Sequence, residues 1–516
     1  MRFCSFIPLP KALTALLFFA FLSCASLVAQ TSATSSPYSR FALGRPENTG
    51  FSEITALGGS FTAFRNDTSN TNTFFVNQGN PASYAYNKFV IYEFGARYAY
   101  NTFSGSNGDV KKQNGGFNYI SLGFPIRKKL GAAFGLVPFS NVGYEVTTTE
   151  NVDSVGSVSN NYKGTGGINQ AYAGLAWRPF ESRLKHVYRS PAYKLNDSIV
   201  KNTLNMAERN KLLASMRRKR FFANALSSLS VGSNVSFLYG TINYATRKYY
   251  PANLGAVYNT CDYTETALHD VYVQMGAQIS FDANSVRRRL TTAERALPDS
   301  ARAAIEPYRN LKKRWRFTLG YSVSLPKSVS ATATHAAYNF TLLSFNREIP
   351  FDTFSYQPNY KGSVHLPLMQ SAGLGIKRGE SLSIYMDAGY QQWSQFRFLG
   401  NDQGLKDQWR VSAGLQWQPD RMAIGGIAYL KRTFYRIGAR YNTGYLSLKG
   451  NPINEYAVSG GLGLPVGRYK VFTVVNLTAE YGTMGTTNNQ LVQEKFLRFV
   501  VGLTFNDRWF IKPKYD

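Results

Sequence analysis

Four histidines, His186, His269, His335 and His365, are the first residues to ask about catalysis or metal binding. They are isolated from one another in the sequence and show no metal-ligand spacing. A Ser/His pair would have to be assembled by the fold, since no local motif announces one. The run Gly460-Gly461-Leu462-Gly463 has the glycine content of a phosphate loop, but it lies in an alternating polar/apolar stretch and opens no helix, so it reads as strand. Of three cysteines, Cys4 and Cys24 fall in the leader and Cys261 has no partner. The expectation is a protein without enzymatic activity, cofactor or metal. What remains is charge. Glu93, Arg97, Arg316, Asp387, Arg410, Arg436, Arg440, Glu480 and Arg498 all fall on the polar side of alternating segments, where the available chemistry is ion pairing or a wetted path.

The elements that carry these charges are strands. Residues 271 to 281 place Val271, Val273, Met275, Ala277, Ile279 and Phe281 on one face and Tyr272, Gln274, Gly276, Gln278 and Ser280 on the other. The same split recurs with Trp409, Val411, Ala413, Leu415 and Trp417 opposite Gln408, Arg410, Ser412, Gly414 and Gln416. About 14 such segments follow one another, an even number that suits a closed antiparallel barrel. They begin near Lys88, Gly116, Gly131, Gly167, Leu229, Leu268, Trp315, Gly362, Ser381, Lys406, Phe434, Glu455, Val471 and Lys495. The aromatics Trp177, Phe180, Tyr239, Trp315, Tyr321, Trp393, Trp417, Tyr445 and Tyr481 lie toward strand ends on the apolar face, where rings settle at a membrane interface. The predicted fold class is therefore all-β, a transmembrane antiparallel barrel over residues 88–516 in the cell outer membrane, surrounded by outer-membrane lipid. Tight turns at 127–129, 378–380 and 468–470 would be periplasmic, and longer loops near 151–166, 251–267, 341–360, 397–405 and 486–494 extracellular.

Residues 1–29 have the basic start, apolar run and small-residue exit of a signal peptide, with cleavage expected after Ala29. The segment Phe21-Leu22-Ser23-Cys24 leaves lipidation of Cys24 as the alternative. Residues 30–87 show no sustained alternation and are too polar and glycine-rich to form a core of their own, so they need a host. A barrel of about 14 strands has a lumen wide enough to be one. Luminal charges would then pair with one another and with Glu47, Glu53, Arg65 and Asp67 of this segment.

Within that segment Gly58 and Gly59 lie in Leu57-Gly58-Gly59-Ser60-Phe61-Thr62-Ala63, followed by Asn66-Asp67 and then Asn80-Pro81-Ala82. This order resembles the N-terminal hatch of the long-chain fatty-acid transporter (FadL-like) outer-membrane family. The resemblance implies a hatch that gates the lumen and uptake of a hydrophobic small molecule. The alternative it admits is a non-transporting accessory, carrier or plug component of a type IX protein secretion system. Pro81 fixes its own backbone and pushes Asn80 toward an extended conformation, making the bend rigid.

The formal net charge of +28 is concentrated. Residues 181–228 and 284–314, expected as helical periplasmic insertions, hold the clusters 217–220, 287–289 and 312–314. They suggest a periplasmic or secretion-system protein partner, or attraction to lipid headgroups. An exported protein rarely meets nucleic acid, so none is expected as a partner.

Overall fold

The computed structural model describes residues 34–47, 50–66, 75–106, 108–153, 155–180, 221–251, 257–283, 315–343, 347–379, 381–420, 423, 425, 428–466 and 473–507. The expected signal peptide, most of the first basic insertion, all of the second, the expected turn at 468–470, Asp67 and His186 lie outside these residues. Of the first insertion only 221–228 is described, with 221–227 helical.

Alternation produces fourteen antiparallel staves. They are β1 (Val90–Gly105), β2 (Gly108–Arg127), β3 (Leu130–Val152), β4 (Gly156–Trp177), β5 (Ser230–Tyr249), β6 (Asn259–Ala283), β7 (Trp315–Ser324 continuing as Lys327–Leu343), β8 (Arg347–Leu366 continuing as Met369–Arg378), β9 (Leu382–Gln391), β10 (Gln408–Trp417), β11 (Phe434–Asn442), β12 (Glu455–Val466), β13 (Thr473–Met484) and β14 (Gln493–Asp507). The sheet closes where β1 pairs with β14, from Val90↔Asp507 to Ser104↔Gln493. On β6 the polar residues Gln278 and Ser280 are buried inside the ring while Val271 and Met275 are exposed outside it. This inversion of the water-soluble pattern marks lipid as the outer solvent. The protein is an outer-membrane β-barrel.

The wall is uneven in height. Strands β9 to β13 have 9 to 12 residues, close to the number that crosses a bilayer at barrel tilt. Strands β3 to β6 have 20 to 25. In β7 and β8 the excess is separated from the crossing part by paired breaks. Leu325-Pro326 interrupts β7 and Pro367-Leu368 interrupts β8, and the two breaks face each other between Leu366↔Lys327 and Met369↔Ser324. Proline has no N–H to give the ladder. Below each break lie 10 residues, a membrane crossing, and above them 17 and 20 residues rise as an extracellular palisade. From Arg347 to Ser363 the outer edge of β8 has no strand partner among the described residues. Three register shifts, with Pro350 and Pro358, roughen that edge.

This corrects part of the sequence reading. Most of 156–166, 259–267 and 341–360 was expected as loop and is strand instead. Along Arg347 to Ser363 both faces of the strand are exposed, so the apolar alternation that reveals a crossing strand is lost there. A second irregularity lies between β2 and β3, which pair only from Ile120↔Leu136 down to Arg127↔Leu130. Above that point the strands part, and Arg45–Pro46 of the N-terminal segment pair with Asn141 and Ser140 of β3.

Candidate functional site

The N-terminal segment lies against the luminal face of the ring, and its backbone is held by wall side chains. A short helix, α1 (Ser52–Ala56), ends in a turn at Gly58 and Gly59, whose φ values are 69° and 83°. A side chain at Gly58 would collide with the β11 backbone at Ala439, and one at Gly438 of β11 would collide with Leu57. Glycine on both partners allows backbone to meet backbone. Asp387 of β9 accepts the amides of Phe61 and Thr62 through Oδ2, both at 2.7 Å. Ser60 Oγ meets Ser412 Oγ of β10 at 2.9 Å.

Asn80 is extended (φ −134°, ψ 98°), and Pro81 opens a 3-10 helix, Pro81–Tyr86. Asn80 Oδ1 accepts from the Ala82 amide at 3.2 Å. Its Nδ2 donates to the Thr62 carbonyl at 2.7 Å and to the Tyr321 carbonyl of β7 at 3.3 Å. Gln274 Nε2 of β6 and Ser322 Oγ of β7 both donate to the Gly79 carbonyl at 2.8 Å. The Asn-Pro bend is thus bonded on both sides to the barrel.

Above these contacts runs a layer of buried ions. Arg440 donates to Glu455 Oε1 through Nη2 at 2.6 Å and to Glu480 through Nη1. Arg498 Nη1 reaches the other oxygen of Glu480 at 3.2 Å. Arg45 bridges Glu494 at 2.9 Å and Glu455 at 3.3 Å, and Arg97 pairs with Glu47. Four arginines thus pair with four glutamates. Burial opposes ionisation of Glu47, but Arg97, with Arg498 and a hydrogen bond from Asn141, outweighs it and holds the carboxyl down to about 2. Breaking one such buried pair strands a charge and costs about 3–5 kcal/mol.

Other expected luminal residues take different positions. Arg410 Nη2 donates to the Gly59 carbonyl at 3.3 Å. Arg436 donates to Gln416 Oε1 and Asn476 Oδ1, each at 2.8 Å. Glu93 and Glu53 are joined through Thr504 Oγ1, at 3.5 and 3.1 Å. Arg316 sits at the periplasmic rim against Asp282, at 3.0 Å. The sequence reading passed over Arg45, Glu455 and Glu494. Glu494 shares the parity of Arg498 along β14 and was legible on that ground. Arg45 carried no signal, because its segment has no periodicity.

Apolar cores lie above and below the ions. The upper one joins Tyr38 and Leu43 to Trp393, Phe396, Leu446 and Ile453 from extracellular connections and to wall residues such as Leu238 and Leu268. Trp393 and Tyr445 stack here at 4.7 Å, so neither belongs to the outer aromatic girdle where the sequence placed them. Their connections fold back over the lumen. Trp177, Trp315, Tyr321, Trp417 and Tyr481 do face outward. The lower core packs Phe51, Ile54, Leu57, Phe64 and Tyr84 against Ile91, Tyr119, Tyr172 and Tyr385. Between the cores are two cavities of about 110 and 180 Å³ that share Pro46, Glu47, Gly50, Gln391 and Arg410 in their linings.

Among the described residues no His/Cys/Asp/Glu group could hold a metal. His335 Nε2 lies 3.3 Å from Asp262 and His365 Nδ1 lies 3.0 Å from Ser328 Oγ. Gly460 to Gly463 lie within β12. Cys261 is a free, buried thiol.

Three solved structures similar to this chain are outer-membrane proteins. The P. putida toluene transporter TodX is 12% identical, covering 90% of this chain and 100% of its own, with a TM-score of 0.49. A Pseudomonas aeruginosa FadL homologue is 11% identical, covering 91% and 100%, with a TM-score of 0.48. The Ralstonia pickettii toluene transporter TbuX is 11% identical, covering 89% and 98%, with a TM-score of 0.44. No curated protein matches the sequence. A family model, BamG, matches residues 11–184 and 291–516. That match spans more than half of the sequence, and the chain belongs to the BamG family.

Proposed function

We propose that this protein is a sealed, non-transporting barrel, an accessory or plug component of a protein-secretion machine of the type IX kind, with the described residues of the N-terminal segment, 34–47, 50–66 and 75–87, as a fixed plug. The layered lumen carries this reading: two apolar cores enclose a layer of buried ion pairs. A solute would have to disrupt both cores and the ions. The two cavities, of about 110 and 180 Å³, both have Glu47 and Arg410 in their linings. That lining is unsuited to a hydrophobic passenger. No catalytic role belongs to this reading.

Uptake of a hydrophobic molecule is the second reading, favoured by the parting of β2 from β3 above Ile120. A lock separates the two. Ser60→Cys/Ser412→Cys places two thiols where the hydroxyls are 2.9 Å apart, joining plug to wall. Under the sealed reading, the purified protein shows no conductance in planar bilayers whether locked or reduced, and the locked form still supports secretion in cells. Conductance, or hydrocarbon uptake that appears only on reduction, would replace this reading with uptake.

A further inference from the structure

The larger of the two cavities between the cores, about 180 Å³, is faced by neutral polar side chains from five staves. They are Gln170 of β4, Gln274 of β6, Ser324 of β7, Ser371 of β8 and Gln391 of β9. Charged members of the lining are engaged by other residues. Glu47 pairs with Arg97 and accepts from Asn141 Nδ2 at 2.9 Å, Asp387 accepts the amides of Phe61 and Thr62, and Arg410 donates to the Gly59 carbonyl. Gln78 differs from all of these. It lines the cavity from the bend before Pro81 and is 6% exposed, yet its side-chain amide has no hydrogen-bond partner among the described residues. Its backbone carbonyl, by contrast, accepts from Asn234 Nδ2 at 3.0 Å. Phe61, Phe139 and Trp393 add aromatic rings to the lining.

A buried amide without a protein partner is costly unless something in the cavity bonds to it. Hydrocarbon would leave the amides and hydroxyls unpaired. We infer that this cavity binds a neutral, hydroxyl-rich small molecule about the size of one sugar ring. Amide and hydroxyl side chains both donate and accept, which is what a ring of hydroxyl groups requires. The aromatic rings offer the C–H faces of such a molecule an apolar wall. Water has the same bonding chemistry, and the volume matches about six water molecules, but water gains nothing from three aromatic rings. The cavity also lies beside the parting in the wall. Val137, Pro138, Phe139 and Ser140 line it, and they are the first residues of β3 above its last pair with β2, Ile120↔Leu136. A ligand entering there would not cross the membrane, so the inference goes beyond the sealed reading and stands independently of it. A free sugar and a glycolipid headgroup share the required chemistry.

The test uses the full-length protein in amphipol with two probes, D-glucose and octyl glucoside, read by saturation-transfer-difference NMR at the sugar ring protons. Ring transfer to either probe supports the site, and the tighter binder names the source, free sugar or glycolipid headgroup. Two variants locate the binding. Gly389 of β9 lines the cavity, and a Cβ there would meet Gln370, Ser371 and Arg410 at 3.6, 3.7 and 3.8 Å, so Gly389→Leu fills the space without displacing backbone. Gln78→Leu removes the unpartnered amide at nearly constant volume. Heat-modifiable gel mobility confirms that each is folded. Gly389→Leu is expected to weaken ring binding by more than about tenfold, and Gln78→Leu by about two- to tenfold, the loss of one neutral hydrogen bond. No ring transfer from either probe in the wild type would leave water as the occupant and overturn the inference. Transfer confined to the octyl chain, or ring binding unchanged in either variant, would overturn it as well, because the sugar would then sit outside this cavity.

Discussion

The lumen and the extracellular palisade are built from the same strands and solve opposite problems. In the lumen, charged and polar side chains are buried and most have named partners: Arg440 with Glu455 and Glu480, Asp387 with two backbone amides. In the palisade, large apolar side chains are exposed. Phe354 and Tyr356 on β8 are 61% and 63% exposed, above the membrane and therefore out of reach of lipid tails. The Pro326 and Pro367 breaks divide the two regimes on β7 and β8. The comparison teaches that burial and exposure are assigned to different heights of one wall: the lower part holds the N-terminal segment, and the upper part carries exposed apolar side chains with nothing over them among the described residues.

The strongest challenge to that division is Arg440→Ala. It should leave Glu455 and Glu480 short of a buried counter-charge and lower stability by about 3–5 kcal/mol. The measurement is the temperature at which gel mobility shifts from folded to unfolded. An unchanged transition would mean that the ion layer is hydrated and contributes little, and the lumen would then resemble the palisade.

A smaller effect is expected from acid. The folded Glu47 carboxyl is depressed from 4.5 to about 2 by its arginine partner, so its stabilisation is full above pH about 4.5 and disappears as pH falls toward 2. Protection of the plug from protease should therefore fall between those values in the wild type. Glu47→Gln should show a weaker plug at neutral pH and a flatter profile, and an identical profile would remove Glu47 from the account.

The smallest effect on stability sharpens the comparison from the other side. Phe354→Ser/Tyr356→Ser should change the transition by no more than about 0.5 kcal/mol, as exposed sites do. A loss of several kcal/mol would show that these rings are packed in the membrane-embedded protein.

Much of the barrel was legible because lipid outside and polar groups inside impose a period of two on every crossing strand. The starts of β5, β7, β11 and β12 near Leu229, Trp315, Phe434 and Glu455 follow directly from it. The palisade was not legible for the complementary reason: Arg347 to Ser363 meet water on both faces, and a strand there looks like a loop. Among the site residues, parity identified Arg440, Glu480 and Arg498 as inward-facing but named no partners. Glu47 was expected to pair with a luminal charge and does so with Arg97, whereas Arg45 lacks any periodic context, so its pairing with Glu494 was invisible.

The sequence by itself determined what local rules determine. Alternation set the strands and their inward faces, Pro81 set the extended Asn80 before it, and the paired glycines marked where backbone would approach backbone. Tertiary structure decided everything that depends on closure of the ring. Only when β1 meets β14 do residues 36 and 494, or 45 and 455, come within hydrogen-bonding distance. Closure also brings Gln170, Gln274 and Ser371 around one cavity. The physical reason is that a strand's period is encoded in neighbouring residues, whereas charge partners across a lumen are hundreds of residues apart and are chosen by the shape that encloses them.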